Sequence, residues 1–274
     1  MKIALFGGTF DPVHQGHLAV ARAAADKFDL GRVYFVPADS PPHKQKRPLT
    51  DFQHRFAMLA LATAADPRFV LSLLDAPAGH PNYSIQTVRK LKSTLKKTDK
   101  LYFLIGMDAF KDIGTWRQPV ELLAECDFIV VSRPGFSLDD VLRVLPEPVR
   151  PSQTELRQLN LVKHSFQKHS IQKSDNHKGV RTLALPGVKI HLLPDVHERV
   201  SSTQIRAAAQ RSVKQLSRYV PRLVAEYIKK ERLYVSSGAL IEKTEKLEKL
   251  EKSEKPAVSQ GKVLSFHGAR RQES

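Results

Sequence analysis

Cysteine is almost absent from this sequence: Cys126 is the only one among 274 residues. A single thiol excludes an intramolecular disulfide, and it excludes the zinc sites that need several cysteine and histidine ligands at fixed spacing. Because Cys126 stands beside an apolar run that starts at Asp127, we expect a buried, unreactive thiol rather than a nucleophile. The chemistry of the protein must therefore come from other side chains.

Long hydrophobic runs are also missing. The longest covers residues 56–65 and is interrupted by Thr63, whereas a membrane-spanning helix needs about 20 apolar residues. Near the N-terminus only a few apolar residues precede Asp11, which is not the pattern of a signal peptide. From these absences we expect a soluble, cytoplasmic protein with no membrane partner.

Aromatic residues are few, at 7% of the chain, whereas lysine and arginine exceed aspartate and glutamate by 16. Such an excess indicates an anionic partner: a nucleotide, a nucleic acid or an acidic membrane surface. Single-stranded nucleic-acid binders place aromatic side chains among basic ones. Segment 151–182 has only Phe166, and segment 236–255 has none. A nucleic-acid partner is therefore disfavoured, and RNA binding stays open as the alternative of a different class.

Two polar segments stand apart from a single catalytic domain that we expect to cover residues 1–235. Segment 151–182 is rich in Gln, Ser, His and Lys, and we interpret it as a loop inserted into that domain. Segment 236–274 contains a repeated Glu-Lys pattern whose i,i+4 pairs each stabilise an isolated helix by roughly 0.2–0.5 kcal/mol. We expect this tail to form a marginal helix up to Pro256, followed by disordered chain.

Short apolar runs alternate with helical patterns along the rest of the chain. The expected strands lie at residues 2–6, 32–36, 69–74, 101–105, 127–132 and 188–193. The expected helices lie at residues 17–28, 51–65 (Thr50 and Gln53 as a capping box), 85–97 (Ser84 as N-cap) and 221–232 (Pro221 in the first turn). Strands separated by helices predict an α/β fold with a doubly wound, Rossmann-like parallel sheet. Ligands of such sheets bind beyond the carboxyl ends of the strands.

The segment after the first expected strand is the most informative one. Residues 7–17 read Gly-Gly-Thr-Phe-Asp-Pro-Val-His-Gln-Gly-His. Gly7 and Gly8 let backbone amides approach a phosphate. His14 and His17 share one face at a helix N-terminus, where anions are favoured. The spacing matches neither GxGxxG nor the P-loop motif, which disfavours a dehydrogenase and a P-loop enzyme.

Residues 7–17 resemble the GGTFDPxHxGH signature of the HxGH nucleotidyltransferase superfamily, whose members transfer a nucleotidyl group and release pyrophosphate. Four further motifs narrow the resemblance: Pro-Pro-His-Lys at 41–44, Pro-Asn-Tyr-Ser at 81–84, Gly-Met-Asp at 106–108 followed by Thr-Trp at 115–116, and Ser-Ser-Thr-Gln-Ile-Arg at 201–206. Together these motifs are similar to those of the bacterial nicotinate-nucleotide adenylyltransferases. The resemblance covers residues 1–235 apart from the inserted loop.

The resemblance implies a role for each motif. The catalytic groups would be His14, His17 and Arg206. The ATP-binding residues would be Gly8, Thr9, Phe10, Gly106, Asp108, Ser202, Thr203 and Arg206, with residues 8–10 lining the triphosphate by backbone and side-chain groups. The residues around the mononucleotide would be His43, Lys44, Tyr83, Ser84, Thr115 and Trp116. A pyridine ring needs a flat aromatic partner, and the only tryptophan would supply it by stacking.

The implied reaction is adenylyl transfer from ATP to nicotinate mononucleotide, which gives deamido-NAD and pyrophosphate. We expect the mononucleotide 5′-phosphate to attack the α-phosphorus of ATP in line, with Mg²⁺ bridging phosphate oxygens and with no protein metal ligands. Transfer to nicotinamide mononucleotide or to phosphopantetheine remains the alternative within the same chemistry. The expected partners are ATP and the mononucleotide, and a homo-oligomer is left open.

Overall fold

A computed structural model describes residues 1–39, 49–77, 81–131, 137–152, 180–193, 196, 200–209 and 212–235 of the chain. The chain divides into one compact unit, Met1–Tyr234, and a second segment, Val235–Ser274. The expected tail at 236–274 lies outside the described residues, as do His43 and Lys44 and most of the expected inserted loop.

A seven-stranded sheet forms the centre of the first unit, in the order β3-β2-β1-β4-β5-β7-β6. The strands are β1 (Lys2–Gly8), β2 (Arg32–Pro37), β3 (Phe69–Leu71), β4 (Lys100–Gly106), β5 (Asp127–Val131), β6 (Arg181–Leu185) and β7 (Val188–Leu193). All neighbouring strands are parallel except β6 and β7. The six expected strands and the doubly wound α/β fold are thus confirmed.

Helices cover both faces of this sheet. They are α1 (Gln15–Phe28), α2 (Phe52–Thr63), α3 (Ser84–Ser93), α4 (Met107–Phe110), α5 (Pro119–Glu125), α6 (Leu138–Val144), α7 (Ser202–Ala208), α8 (Val213–Leu216) and α9 (Arg222–Lys230), with 3₁₀ turns at Ile113–Thr115 and Glu147–Val149. The connections from β1 to α1 and from β4 to α4 are short, so the N-termini of these two helices lie close to the ends of the strands that precede them.

Two hydrophobic clusters hold the layers together, one on each face of the sheet. Ala4 and Phe6 point to the face that α1, α2, α7 and α9 cover. Ile3 and Leu5 point to the face that α3, α4, α5 and α6 cover. This alternation follows from the period of two along a strand. Since both faces are buried, β1 is apolar at every position from Ile3 to Phe6, as is typical of a parallel sheet.

Three expected helix starts are corrected by the structure. The N-cap of α2 is Asp51, without a side-chain cap, so the expected Thr50–Gln53 capping box is wrong. The N-cap of α3 is Tyr83, and Ser84 is the first helical residue. Pro221 is the N-cap of α9 and precedes its first turn. Each helix start differs from the prediction by about one residue, which is the range within which helix ends are defined.

The end of the expected inserted loop also differs from the prediction. Arg181 and Thr182, its last two residues, belong to β6, which runs antiparallel to β7 through a tight turn with Gly187 at φ 83°. Leu183 of β6 and Val188 of β7 are buried in the hydrophobic cluster that also contains Ile3 and Leu5, so both strands of the hairpin pack into that cluster. Residues 153–179 of that loop lie outside the described part of the chain.

Cys126 follows α5 and is half-buried. Burial raises the pKa of its thiol to about 12, so the thiol stays protonated near neutral pH. A protonated thiol is a poor nucleophile, in agreement with the unreactive cysteine expected from the sequence.

A search for membrane spans found no candidate helix in the part of the chain that the structure describes.

Candidate functional site

The carboxyl ends of β1 and β4 meet where the sheet changes direction. The chain leaves β1 toward β2 on one side, and β4 lies on the other side. Phe6 and Leu104 are the last pair of this register, and Gly8 and Gly106 follow two residues beyond it as the last residues of the two strands. A Cβ atom on Gly106 would meet open space, so the missing side chain leaves room in front of both strands. This topological switch point is where parallel sheets bind ligands.

The loop between β1 and α1 has an unusual backbone. Phe10 has φ 46°, and the Asp11–Pro12 peptide bond is cis. The Phe10 ring packs into the core, with ring centroids 5.5 Å from Phe6 and 5.7 Å from Phe35. A Cβ atom on Gly8 would lie 3.2 Å from this ring, which explains the glycine. The Phe10 ring is therefore packed inside the protein, and its backbone is the part left for the ATP-binding role expected of this residue.

His14 and His17 form a reciprocal cap at the start of α1. The backbone amide of His14 donates to Nδ1 of His17 at 3.2 Å, and the amide of His17 donates to Nδ1 of His14 at 3.4 Å. The two rings stack with centroids 3.7 Å apart. Because each Nδ1 accepts, a neutral ring carries its proton on Nε2. The pair therefore presents two Nε2–H donors.

Burial sets the charge of this pair. His14 is buried, and desolvation lowers the pKa of its ring to about 4. His14 is consequently neutral near pH 7 and acts as a hydrogen-bond donor rather than as a cation. The ring of His17 is less buried and rests edge-on against Phe10, with centroids 5.0 Å apart. That packing fixes the direction in which His17 points.

Helix α7 holds the same loop from the other end of the chain. Arg206 donates from Nη1 to the carbonyl oxygen of Asp11 at 2.7 Å and from Nη2 to Oγ1 of Thr203 at 3.0 Å. Ser202 donates from its hydroxyl to the carbonyl oxygen of Pro12 at 3.1 Å. The structure thus brings two expected ATP-binding residues, Ser202 and Arg206, against the loop that carries the histidine pair, and Thr203 accepts from Arg206 beside them.

Asp11 is buried at the centre of these contacts. The hydroxyl of Tyr234 donates to Oδ1 of Asp11 at 2.7 Å, and the amide of Thr50 donates to Oδ2 at 3.5 Å. Burial is the first cause that raises the pKa of the Tyr234 hydroxyl, and the Asp11 charge adds to it. The hydroxyl therefore stays protonated and able to donate.

Arg55 is a buried residue at this site that the motif comparison missed. It is 1% exposed and donates to the carbonyl oxygens of Thr9, Ala38, Asp39 and Thr50. One sequence signal could have found it: Arg55 falls on the same helical stripe as Met58, Leu59 and Ala62, which are buried in the core. A charged residue on an apolar stripe requires partners.

The expected adenosine residues lie at the end of β4. Gly106 is the N-cap of α4, and Asp108 is exposed in its first turn. They share the strand-end edge with the β1–α1 loop, as the expected ATP site requires. No group of three or more His, Cys, Asp or Glu side chains in the described part of the chain could hold a metal ion.

The expected mononucleotide residues form a second group. Tyr83 precedes α3, Ser84 begins it, and the guanidinium of Arg117 lies 5.8 Å from the centre of the Tyr83 ring. Thr115 is exposed, while Trp116 is half-buried with its ring edge-on to Phe103 at 6.2 Å. Arg117, which follows Trp116 in the chain, therefore brings Trp116 close to Tyr83. Among the described residues, the ring contacts of Trp116 and Tyr83 do not include the histidine pair.

Hydrogen bonds behind Tyr83 hold this second group in place. Thr87 donates from its hydroxyl to Oδ1 of Asp75 at 2.5 Å, and Asn82 donates from Nδ2 to the Asp75 carbonyl oxygen at 3.2 Å. Burial raises the pKa of the Asp75 carboxyl. The loop after β3 is thereby fastened to the first turn of α3.

Comparison with known proteins places these features in a family. The sequence model of the cytidylyltransferase-like family matches residues 5–208. A probable nicotinate-nucleotide adenylyltransferase of Geotalea uraniireducens is 35% identical over 236 residues, which cover 85% of this chain and 98% of that protein. Its counterpart in Geobacter sulfurreducens is 35% identical over 240 residues, which cover 87% of this chain and 100% of that protein.

The fold has solved relatives. Two structures of the Plasmodium falciparum nicotinic acid mononucleotide adenylyltransferase, one complexed with APC and one with NaAD, each superpose with a TM-score of 0.57 at 18% identity. The first match covers 85% of this chain and 96% of that chain, and the second covers 85% and 97%. At this identity the likeness concerns the fold alone.

Proposed function

The chain belongs to the cytidylyltransferase-like family and, within it, to the nicotinate-nucleotide adenylyltransferases, and from that premise we propose that it transfers an adenylyl group from ATP to nicotinate mononucleotide. The products are deamido-NAD and pyrophosphate, in NAD biosynthesis. One observation in the structure supports this proposal above the others. It is the pair of Nε2–H donors of His14 and His17, held beside the strand ends where a nucleotide would lie.

The reaction needs positioning and charge stabilisation rather than a covalent nucleophile. A 5′-phosphate oxygen of the mononucleotide attacks the α-phosphorus of ATP, and the bond from that phosphorus to the β-phosphate oxygen breaks. The electron pair of the broken bond leaves with pyrophosphate. His14 and His17 donate hydrogen bonds to the phosphates and to the charge that develops on the leaving group. Arg206, already against the loop, adds positive charge on the same side.

The donors around the β1–α1 loop suit phosphate oxygens better than a metal ion. They are imidazole, guanidinium and amide N–H groups, and the carboxylate of Asp11 already accepts from Tyr234 and Thr50. We therefore propose that Mg²⁺ enters bound to ATP and neutralises phosphate charge there. The residues of the chain orient that complex.

The second group of residues is proposed to bind the mononucleotide. Trp116 stacks on the pyridine ring, and Tyr83, Ser84 and Thr115 border its carboxylate. Gly106 and Asp108 lie against the adenosine. His43 and Lys44, outside the described residues, are proposed to stand near the substrates on the strength of their motif.

The test is pyrophosphate release with ATP and Mg²⁺, with nicotinate mononucleotide, nicotinamide mononucleotide and phosphopantetheine as acceptors at equal concentration. We expect kcat/KM for nicotinate mononucleotide to exceed the others by about 100-fold or more, since a site built for hydrogen bonds rejects acceptors that lack the matching group. A preference for another acceptor would keep the chemistry and replace the substrate. If none of the three acceptors supports pyrophosphate release, the proposal is contradicted.

A control separates enzyme from binding protein. Absence of release together with salt-sensitive RNA binding, lost when residues 153–179 are removed, would favour the nucleic-acid alternative. The basic composition of that segment is the reason to include this arm.

A further inference from the structure

Arg55 connects three parts of the chain through carbonyl oxygens. Its Nη1 donates to Thr9 at 2.9 Å and to Ala38 at 2.6 Å, its Nη2 donates to Asp39 at 3.3 Å, and its Nε donates to Thr50 at 2.7 Å. Thr9 lies in the β1–α1 loop, and the other acceptors flank segment 40–48 on both sides. One guanidinium thus connects the β1–α1 loop to both ends of segment 40–48, which carries His43 and Lys44.

Only an arginine can make this set of bonds. The guanidinium is a planar fork with five N–H donors, whereas a lysine ammonium is a single point with three. Burial lowers the pKa of Arg55, while the charges of Asp11, Asp39 and Asp51 act in the opposite direction. Among the described residues its direct acceptors are neutral carbonyl groups, so the side chain serves the backbone rather than an ion pair.

The bond to Thr9 has a consequence for the next amide. The C=O and N–H groups of a planar trans peptide point in opposite directions. Because the Thr9 carbonyl is turned in toward Arg55, the amide N–H of Phe10 is turned away from it. The Phe10 ring is anchored in the core at the same time, so this peptide plane is held from both sides.

We propose that Arg55 is a positioning residue for the reaction, which fixes the Thr9–Phe10 peptide so that its N–H faces the triphosphate. The inference rests on the proposed function. The inference deepens the proposed function, because it assigns part of phosphate binding to a buried side chain that does not contact the substrate. A misplacement of about 1 Å in such a donor is enough to cost a large factor in rate.

The test compares Arg55→Lys with the wild type at a temperature where circular dichroism shows both fully folded. We expect kcat to fall by about tenfold or more and KM for ATP to rise, because the lysine cannot bond to Thr9 and Thr50 together. A merely structural Arg55 would lower Tm and leave the kinetic constants of the folded enzyme unchanged, and that result would overturn the proposal.

Arg68→Ala provides the matched control. Arg68 bonds to Asp26 and Asp66 away from this loop, so its loss should lower Tm while kcat and KM stay as in the wild type. If the control loses activity in the same proportion, the effect of Arg55→Lys is not specific to the loop.

A measurement that does not use activity completes the test. In the wild type, the NMR signal of the Phe10 amide should shift on addition of an ATP analogue, and in Arg55→Lys the amides of Thr9, Phe10 and Thr50 should exchange faster with solvent. An unmoved Phe10 signal in a wild type that binds the analogue would overturn the proposal even if Arg55→Lys fails to fold. If the wild type binds the analogue but releases no pyrophosphate from ATP with any acceptor, the proposed function is contradicted. The NMR measurement then decides the role of Arg55 by itself.

Discussion

At the scale of single residues, each ring of the histidine pair is oriented by the backbone amide of the other. Nδ1 of each ring accepts a backbone amide, so the proton of a neutral ring is carried by Nε2. On the proposed function the two nitrogens of His17 have separate tasks: Nδ1 caps α1, and Nε2 donates to the substrate. Substitutions that keep one nitrogen position at a time can separate these tasks.

We predict opposite outcomes for two amide substitutions of His17. His17→Asn places a polar atom near Nδ1 and removes the donor at Nε2, so kcat should fall by about 10²-fold, the scale of losing an oxyanion donor, with Tm nearly unchanged. His17→Gln places an amide nitrogen near Nε2 and should retain more activity. Steady-state pyrophosphate release and thermal melts give both numbers.

The contrary result for His17 is equally definite. Equal kcat values for the wild type and His17→Asn would show that Nε2 takes no part in the reaction. If His17→Asn lost Tm and kcat together, the capping task alone would account for the effect.

The spacing of residues predicted that His14 and His17 lie together at the start of α1, but it did not predict the other contacts of the β1–α1 loop, for a physical reason. His14 and His17 were found because three residues on a helix bring two side chains to one face. Phe10 was assigned to the ligand because nothing local shows that φ 46° turns its ring into the core. Arg55 was missed because its partners are backbone carbonyl oxygens from three separate segments. Every residue has a carbonyl group, so the sequence does not show which of them an arginine will contact.

At the scale of elements, the carboxyl edge of the sheet gathers the starts of α1, α3 and α4. The alternation of apolar runs and helical patterns was sufficient to predict six of the seven strands and their order along the chain. It was not sufficient for caps, because Asp51 and Tyr83 became N-caps without a side-chain bond to the helix.

We predict that Trp116→Ala raises KM for the mononucleotide by about threefold to tenfold and changes KM for ATP much less. Trp116 follows the 3₁₀ turn Ile113–Thr115, and its neighbour in the sequence, Arg117, lies over the ring of Tyr83 at the start of α3. Loss of one stacked aromatic pair costs about 1 kcal/mol. Initial rates at varied concentrations of each substrate measure both constants.

Trp116→Phe is the control, because it keeps a flat ring and the contact with Phe103. It should raise KM for the mononucleotide less than the alanine does. An effect of Trp116→Ala on ATP alone would place the ring at the adenosine instead and refute the assignment.

At the scale of the whole molecule, the buried His14 and the half-buried His191 link stability to pH, because both rings are neutral near pH 7 in the folded protein. Burial lowers the pKa of His14 and of His191 to about 4 from an ordinary 6.5. The nearby charges of Asp127, Lys100 and Lys189 modify the His191 value, and Thr182 lies 2.8 Å from its Nδ1. The unfolded chain binds these protons more readily, so their contribution to stability is present above pH 6.5 and is lost as pH falls toward 4.

We predict that His191→Asn reduces this loss. Asparagine keeps a polar partner for Thr182 but cannot be protonated, so the difference in unfolding free energy between variant and wild type should change in favour of the variant by up to about 3 kcal/mol between pH 7 and pH 4. Urea unfolding at several pH values measures it. A difference that stays constant with pH would show that His191 does not titrate in this range.

The overall architecture was predictable because both faces of the sheet are covered, and each strand therefore reads as an apolar run. The hairpin of β6 and β7 was not predicted in full. Arg181 and Thr182 are polar and adjoin a polar segment, so the first strand of that hairpin looked like loop until its pairing with Leu192 and His191 was known.

The bond between Tyr234 and Asp11 joins residues 223 positions apart. A ribosome delivers the chain from its N-terminus, so the β1–α1 loop is made first and its last support is made more than 200 residues later. A nascent or prematurely terminated chain that stops short of residue 234 cannot form this contact. Translation therefore has to pass residue 234 before the loop can be locked, and incomplete products of the gene should not sequester nucleotide in its finished geometry.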